Sequence, residues 1–522
     1  KTPAASRSIF TQRTTMKLFL TLITLFSAAS LPTPPNNVDT TTTLTLVETM
    51  PTQMEDLNQT VALHTHSAVI HLFDNAKSTI DLAVMYWSLL PKDCGWKPNH
   101  TKTTTADCSG FTRKQLDQQF LATRGRAVYT ALTNALARGV QVRALQSAGF
   151  ASEDDRSNHS NPESAELAIR FPATFAVRTL NMSQWYGDGI QHTKFMIVDG
   201  HAIMLGSSNF MDFRSLSLVK ELGILVNNAP TLATDLGMFF TDAWSVAGVE
   251  TPSEWTSLLY DEGALRSRMV PSWSPLLQID PNTINTTTKS PLPSSTPATK
   301  VTPLKIQFNQ DHSASSVFVS CSPLALCGGN ARARRTSDEV ALVSTIKQST
   351  TDIAIAVMDF VPGSMGIWAA GAPVYWPALV DAIVAVVNAK AVRARIMVSQ
   401  WQWTDPTMMP YLKALSSMAS VCKHALAQTC QGSLEIRTFV VPGWNETVGV
   451  GRTFPGHSRV NHNKYIVSDS TANIATSNMA WSYFRTTVGT SINIESKSVA
   501  KELMAIFDRD WHSQYVVPLD SS

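Results

Sequence analysis

The chain of 522 residues is written twice. "STIDLAVMYW" (Ser78–Trp87) is echoed by "TDIAIAVMDF" (Thr351–Phe360), and both are short apolar runs suited to strands buried on both faces. An amphipathic helical pattern follows each, "AVYTALTNALARG" and "WPALVDAIVAVVNA". Each half then meets another strand, "VQVRAL" from Val140 and "VRARIMVS" from Val392. Near the ends, "LGMFFTDAW" (Leu236–Trp244) matches "LMAIFDRDW" (Leu503–Trp511). A chain of this length exceeds one compact core. The duplication and the alternation of strands with helices argue for two α/β sandwich lobes.

Composition sets the borders. "PNTINTTTKSPLPSSTPATKVTP" (281–303) is too rich in Thr, Ser and Pro to bury a core, and it separates halves of comparable size. The expected organisation is an upstream or non-native segment over 1–15, a signal peptide over 16–30 and a Thr/Pro-rich segment over 31–60 that includes "DTTTTLTLVET". Lobe 1 then spans 61–260, a linker 261–308 and lobe 2 309–518.

The third repeated block carries chemistry. "QHTKFMIVDGHAIMLGSSNFMDFRS" (Gln191–Ser215) aligns with "VNHNKYIVSDSTANIATSNMAWSYF" (Val460–Phe484). His192, Lys194, Asp199, Ser207 and Asn209 correspond to His462, Lys464, Asp469, Thr476 and Asn478, with one residue fewer between aspartate and asparagine in the second copy. On a strand, His and Lys at i and i+2 share a face. Burying both unpaired is costly, and a phosphate ligand would offset that cost.

His-x-Lys-x4-Asp followed by Gly-Ser-x-Asn, twice over, resembles the signature of the phospholipase D superfamily. "HTKFMIVD…LGSSNFMDFRSLSLVKELG", "RVNHNKYIVSD…ATSNMAWSYF", "SQWQWTDP" (Ser399–Pro406) and "IFDRDW" are most similar to the subgroup of family members three and four. The resemblance covers nearly all of the chain after residue 30. It implies two lobes, each a mixed β-sheet flanked by helices, related by a pseudo-twofold axis with the site between them, and metal-independent phosphodiester chemistry through a phosphohistidine with no cofactor. For that subgroup it further implies lysosomal 5′→3′ exonuclease activity on single-stranded DNA and RNA, and also lipid phosphodiester chemistry.

The implied division of labour follows the chemistry of an anionic ester. Lys194 and Lys464 bind the non-bridging oxygens, with Asn209 and Asn478 donating hydrogen bonds. One histidine attacks phosphorus; the other protonates the leaving oxygen and then activates water. Glu221, in "KELG", matches the family's supporting glutamate, whereas the second copy reads "VGTSIN" there. With Glu221 and Ser207 expected to orient its ring, His192 is assigned as nucleophile and His462 as general acid, the reverse staying open. Asp199 and Asp469 are expected to brace the turn after their strands. Ala475-Thr476 departs from the Gly206-Ser207 of the first copy. Tyr86, Trp87, Trp401 and Trp403 lie beyond strand ends, where they could stack unpaired bases.

Two other functions compete with a nuclease: phospholipid hydrolysis or transphosphatidylation, and a secreted binding glycoprotein whose site has decayed. Both His-Lys pairs and both asparagines are present, which counts against decay. A formal charge of +2 implies no field strong enough to hold long duplex DNA by charge alone and leaves a local basic groove open. Together with the lack of a recognisable lipid-targeting module, it leans toward a short terminal stretch of nucleic acid over a membrane face.

The remaining signals concern compartment. "MKLFLTLITLFSAASLP" from Met16 has one lysine, an apolar run and small residues, as a secretory signal does. Sequons begin at Asn58, Asn99, Asn158, Asn181, Asn285 and Asn445. Cys94, Cys108, Cys321, Cys327, Cys422 and Cys430 fall into three close pairs, as local disulfides would, although 15 pairings are open. These features predict a lysosomal or extracellular glycoprotein with no stable membrane span in the mature chain, and they leave a homodimer open.

Overall fold

Seven strands form the first sheet of the computed structural model. They are β1 (Thr43–Thr49), β2 (Thr79–Ala83), β3 (Gln141–Ser147), β4 (Phe175–Leu180), β5 (Phe195–Val198), β6 (Ala202–Gly206) and β7 (Glu221–Asn227), ordered β1-β7-β6-β5-β2-β3-β4. The second half supplies β8 (Leu304–Ile306), β9 (Ser315–Ser322), β10 (Asp352–Val357), β11 (Phe360–Val361), β12 (Arg393–Gln400) and β13 (Ser433–Val440). It continues with β14 (Lys464–Ser468), β15 (Thr471–Ala475), β16 (Met479–Ala480), β17 (Gly489–Glu495) and β18 (Val516–Pro518). The structure describes residues 42–91, 111–148, 161–183, 188–247, 297–311, 313–323, 326–327, 335–364, 374–421, 431–447 and 451–519.

The second sheet runs β18-β13-β12-β10-β14-β15-β17-β9-β8. Its inner seven strands repeat the first sheet in order and sense. β2, β3 and β4 are parallel neighbours, as are β10, β12 and β13. The other pairings within each set of seven are antiparallel. β8 and β18 are additions at the two edges of lobe 2.

Two borders differ from expectation. β1 lies inside the Thr/Pro-rich segment assigned to 31–60, yet pairs along its whole length with β7, from Thr43↔Asn227 to Thr49↔Glu221. Thr-Leu-Thr-Leu alternates, and Leu44 and Leu46 enter the core while threonines occupy the other face. Likewise β8 falls within the expected linker. The segments 1–15 and 16–30, the cysteines Cys94, Cys108, Cys422 and Cys430, and the sequons Asn99, Asn158 and Asn285 lie outside the described residues.

Both faces of each sheet are buried. In β5, Met196 and Val198 face lobe 1's own helices, including Thr65–Asn75 and Thr123–Ala137. Phe195 and Ile197 point the other way, into a core shared with Tyr465, Val467, Ile492 and Phe507 of lobe 2. Ile466, between Tyr465 and Val467, turns back to lobe 2's own core. One hydrophobic core therefore joins the lobes. Among the described residues no helix is long and apolar enough to cross a membrane. Cys321 and Cys327 form a disulfide.

Candidate active site

Each histidine sits just before a central strand, His192 ahead of β5 and His462 ahead of β14. Both are held by backbone from the opposite lobe. The His192 amide donates to the Val488 carbonyl at 2.9 Å, and the Val488 amide donates to Ile190 at 2.8 Å. The His462 amide donates to the Lys220 carbonyl at 2.8 Å, and the Lys220 amide to Val460 at 2.9 Å. Lys220 and Val488 are equivalent positions, each preceding the strand that follows its asparagine loop. The four bonds are thus two copies of one contact, as a pseudo-twofold arrangement requires.

Symmetry extends to the lysines. Lys194 Nζ donates to the His192 carbonyl at 2.7 Å, and Lys464 Nζ to the His462 carbonyl at 2.9 Å. Each is 1% exposed, so neither ammonium is hydrated as it would be at a surface. Burial pushes Lys194 well below the usual lysine range, and Lys464 adds repulsion. Burial brings Lys464 down to about 7, against the pull of Glu221 and Asp359. An anion between them would favour the charged form of both.

Glu221 breaks the symmetry, and it does so across the interface. Its buried carboxylate accepts from Ser207 Oγ and Ser215 Oγ, each at 2.5 Å, and lies 2.9 Å from His462 Nδ1. The expectation that Glu221 orients His192 is therefore corrected: the strand starting at Glu221 borders the opposite lobe, and the carboxylate points there. Burial would raise this carboxyl, but the charge and hydrogen bond of His462, with Lys464 and Ser207, hold it below its usual range. Gly489 stands at the equivalent place in lobe 2, where a Cβ would come within 2.1 Å of Ser477 Oγ and 2.6 Å of Ser322 Oγ. No carboxylate from that position can back His192.

The rings accordingly differ. Burial lowers His462 to about 4, with Glu221 opposing the shift. Burial lowers His192 well below the ordinary value too, reinforced by Lys194, Lys464 and His462, and its Nδ1 has no hydrogen-bond partner among the described residues. Tyr483 meets the His192 ring edge-on at 5.0 Å between centroids.

The Ala475-Thr476 departure leaves the local bonds intact. Thr476 Oγ1 donates to the Thr490 carbonyl and accepts from its amide, both at 3.1 Å. Ser207 Oγ likewise accepts from the Leu222 amide at 3.0 Å and lies 3.1 Å from the Leu222 carbonyl, but its proton goes to Glu221. The difference lies in side-chain room: Gly206 opposes Gly223, and a Cβ there would come within 2.4 Å of the Gly223 Cα, whereas Ala475 opposes Ser491.

Asn209 and Asn478 follow these strands. Asn478 is fully buried, and its Nδ2 donates to Asp359 Oδ2 at 2.7 Å. Asp199 and Asp469 point away from the histidines. Asp199 accepts from the amides of Lys77, Ser78 and Thr79, and Asp469 from those of Thr350, Thr351 and Asp352. Each aspartate clamps the entry to its lobe's first parallel strand.

The aromatic residues separate. Trp87 packs edge-on against Phe175 in the lobe-1 core at 5% exposure, so it is corrected from a substrate contact to a core residue. Tyr86 donates to Asp212 Oδ2 at 2.8 Å. Trp401 packs on Val219, Met358 and Val460, which adjoin the residues fixing His462. Trp403 is 48% exposed and stacks on His457 at 5.7 Å with planes 14° apart. His457 and Asp359 escaped sequence reasoning; the one sign of Asp359 is that the first copy has Tyr86 in its place.

Comparison with known proteins agrees with this geometry. A family profile described as "PLD3/4, PLD-like domain" matches residues 285–444, and one described as "Cardiolipin synthase, PLD-like domain" matches 112–244. Phospholipase D Z of Dictyostelium discoideum is 30% identical, over 89% of this chain and 88% of that one. The 5'-3' exonuclease PLD3 of Rattus norvegicus is 29% identical, over 91% of this chain and 80% of that one. The solved phosphatidylserine synthase of Haemophilus influenzae shares the fold with a TM-score of 0.50 at 11% identity, covering 87% and 85%. The chain belongs to the phospholipase D superfamily of phosphodiesterases.

Proposed function

We propose that this protein hydrolyses phosphodiesters through a covalent intermediate on His462, acting as a 5′→3′ exonuclease on single-stranded nucleic acid. The contact between Glu221 and His462 Nδ1 carries the assignment. A proton held on Nδ1 by a carboxylate leaves the Nε2 lone pair for attack. Nε2 bonds to phosphorus, the ester P–O bond breaks, and the departing oxygen takes a proton from His192, whose charged form the bound phosphate anion favours against burial. Water then gives a proton to His192 and attacks phosphorus, breaking the P–N bond. Lys194, Lys464, Asn209 and Asn478 would hold the non-bridging oxygens throughout. This reverses the roles expected from sequence.

The substrate reading is supported by an aromatic ledge that reaches Val460, two residues before His462. Trp401, His457 and Trp403 form a partly exposed aromatic surface, and stacking of an unpaired base contributes about 1–3 kcal/mol per contact. The names of the PLD3 relatives point the same way. Trp403→Ala should raise KM for a 5′-hydroxyl oligonucleotide about tenfold, since losing one stack costs about 1.4 kcal/mol. Turnover of a small p-nitrophenyl phosphodiester should be unchanged. Incubation of the wild type with single-stranded oligonucleotide and, separately, phosphatidylcholine tests the substrate. Stepwise mononucleotide release is expected, and choline release without nucleotide release contradicts the reading.

The signal-like segment and the sequons support a lysosomal or extracellular glycoprotein. Among the described sequons, Asn445 is exposed, while Asn58 and Asn181 are half-buried.

A further inference from the structure

Asp359 is an odd neighbour for a phosphate. It precedes β11, whose parallel pairing with β16 sets it beside Asn478. Its Oδ2 accepts from Asn478 Nδ2, while Oδ1 is buried without a hydrogen-bond partner. The residue is 1% exposed. A carboxylate here attracts Lys464 and repels any anion that Lys464 and Asn478 bind. The first lobe has the neutral Tyr86 in this place. Wild-type lobe 2 thus puts an acid inside its own anion site.

We propose that Asp359 is a positioning residue that must take up a proton for the anion to bind, tying substrate affinity to acid conditions. The proposal rests on the phosphodiesterase reading above. Deprotonated, Asp359 repels the phosphate and offsets the charge of Lys464. Protonated, it loses both effects, keeps an oxygen on the Asn478 amide, and offers an O–H to the site.

The groups that face it set the balance. Burial raises the carboxyl to about 7, Lys464 on β14 lowers it, and Asp405, beyond the end of β12, raises it again. Tyr483, on the helix Trp481–Arg485, shares the Asn478 amide at 3.3 Å and carries no charge at neutral pH. Asp405 is itself buried and accepts from the Thr407 amide and hydroxyl.

The sign is fixed by linkage. A bound anion raises the pKa of Asp359, so binding takes up a proton where the free carboxyl is ionised, and affinity falls as pH rises through about 7. The test is titration of the full-length protein with tungstate, which mimics phosphate and does not itself titrate between about pH 6.5 and about pH 8.5. Lys464 titrates in the same range and contributes a slope in both proteins, so the Asp359 contribution is the difference. Wild type should lose affinity more steeply than Asp359→Asn, by up to about tenfold per pH unit. Calorimetry in two buffers of different ionisation enthalpy should show the variant taking up fewer protons. Asn at 359 keeps an oxygen for the Asn478 amide, so the fold is conserved.

Asp405→Asn supplies a second, oppositely directed reading. Removing that charge eases ionisation of Asp359, so the loss of affinity should move to lower pH. Equal slopes and proton counts in wild type and Asp359→Asn overturn the role of Asp359, while tungstate binding in both leaves the phosphodiesterase reading standing. Failure of wild type to bind tungstate or cleave any phosphodiester removes that reading and this role together.

Discussion

Glu221 follows His192 within one lobe, yet it touches the ring 241 residues away. The His-Lys pairs were legible because their spacing repeats and because a strand puts i and i+2 on one face. The partner of Glu221 was not, since sequence order says nothing about which lobe a strand end borders. Asp359 was hidden for a similar reason: it lies between two apolar strands and gains meaning only from the Asn478 amide and the Lys464 charge. Glu221→Gln keeps the shape and the serine contacts but offers His462 an amide that can bind either tautomer. The expected result is a fall in kcat of about 100-fold or more with little change in tungstate affinity, read by steady-state kinetics and calorimetry.

Strands and helices repeat more faithfully than the polar residues do. Arg143 and Arg178 lie over Trp244 at 5.7 and 4.8 Å, and Arg395 and Arg437 lie over Trp511 at 5.8 and 4.6 Å. These tryptophans end the last pair of repeated segments, Leu236–Trp244 and Leu503–Trp511. β1 was missed because its Thr-rich composition outweighed its alternation. Its register nevertheless holds β7, and with it Glu221, in place. Leu46→Ala should cost about 3 kcal/mol, read as a lower denaturant midpoint. A chain beginning at Val61 should fail to accumulate in soluble form, because β7 would lose its outer partner and expose an edge.

Across the molecule, the lobes are joined by more than a linker. Lys220 is fully buried and pairs with Glu48 of lobe 1 at 3.3 Å and Asp510 of lobe 2 at 2.8 Å, and Arg509 of lobe 2 binds both acids. Arg335 of lobe 2 reaches Asp235 of lobe 1 at 2.7 Å. With the shared core, these ties predict that cutting the chain at a protease site inserted within 281–294 leaves the halves associated. Activity should then stay within about twofold of the uncut protein, since no new surface is exposed to water; elution as two separate species on gel filtration would contradict this. The two-lobed plan was legible from the repeat, whereas the crossing contacts that make one site of two halves were not.

The central claim is that His462, backed from the other lobe, attacks phosphorus. Its most direct test is to quench a reaction of His192→Asn with a p-nitrophenyl nucleotide diester, whose leaving group needs little protonation, and map the trapped phosphopeptide by mass spectrometry. The prediction is an adduct on His462 in that variant and none on His192 in His462→Asn. An adduct on His192 in His462→Asn, with His462 unmodified in His192→Asn, would contradict it.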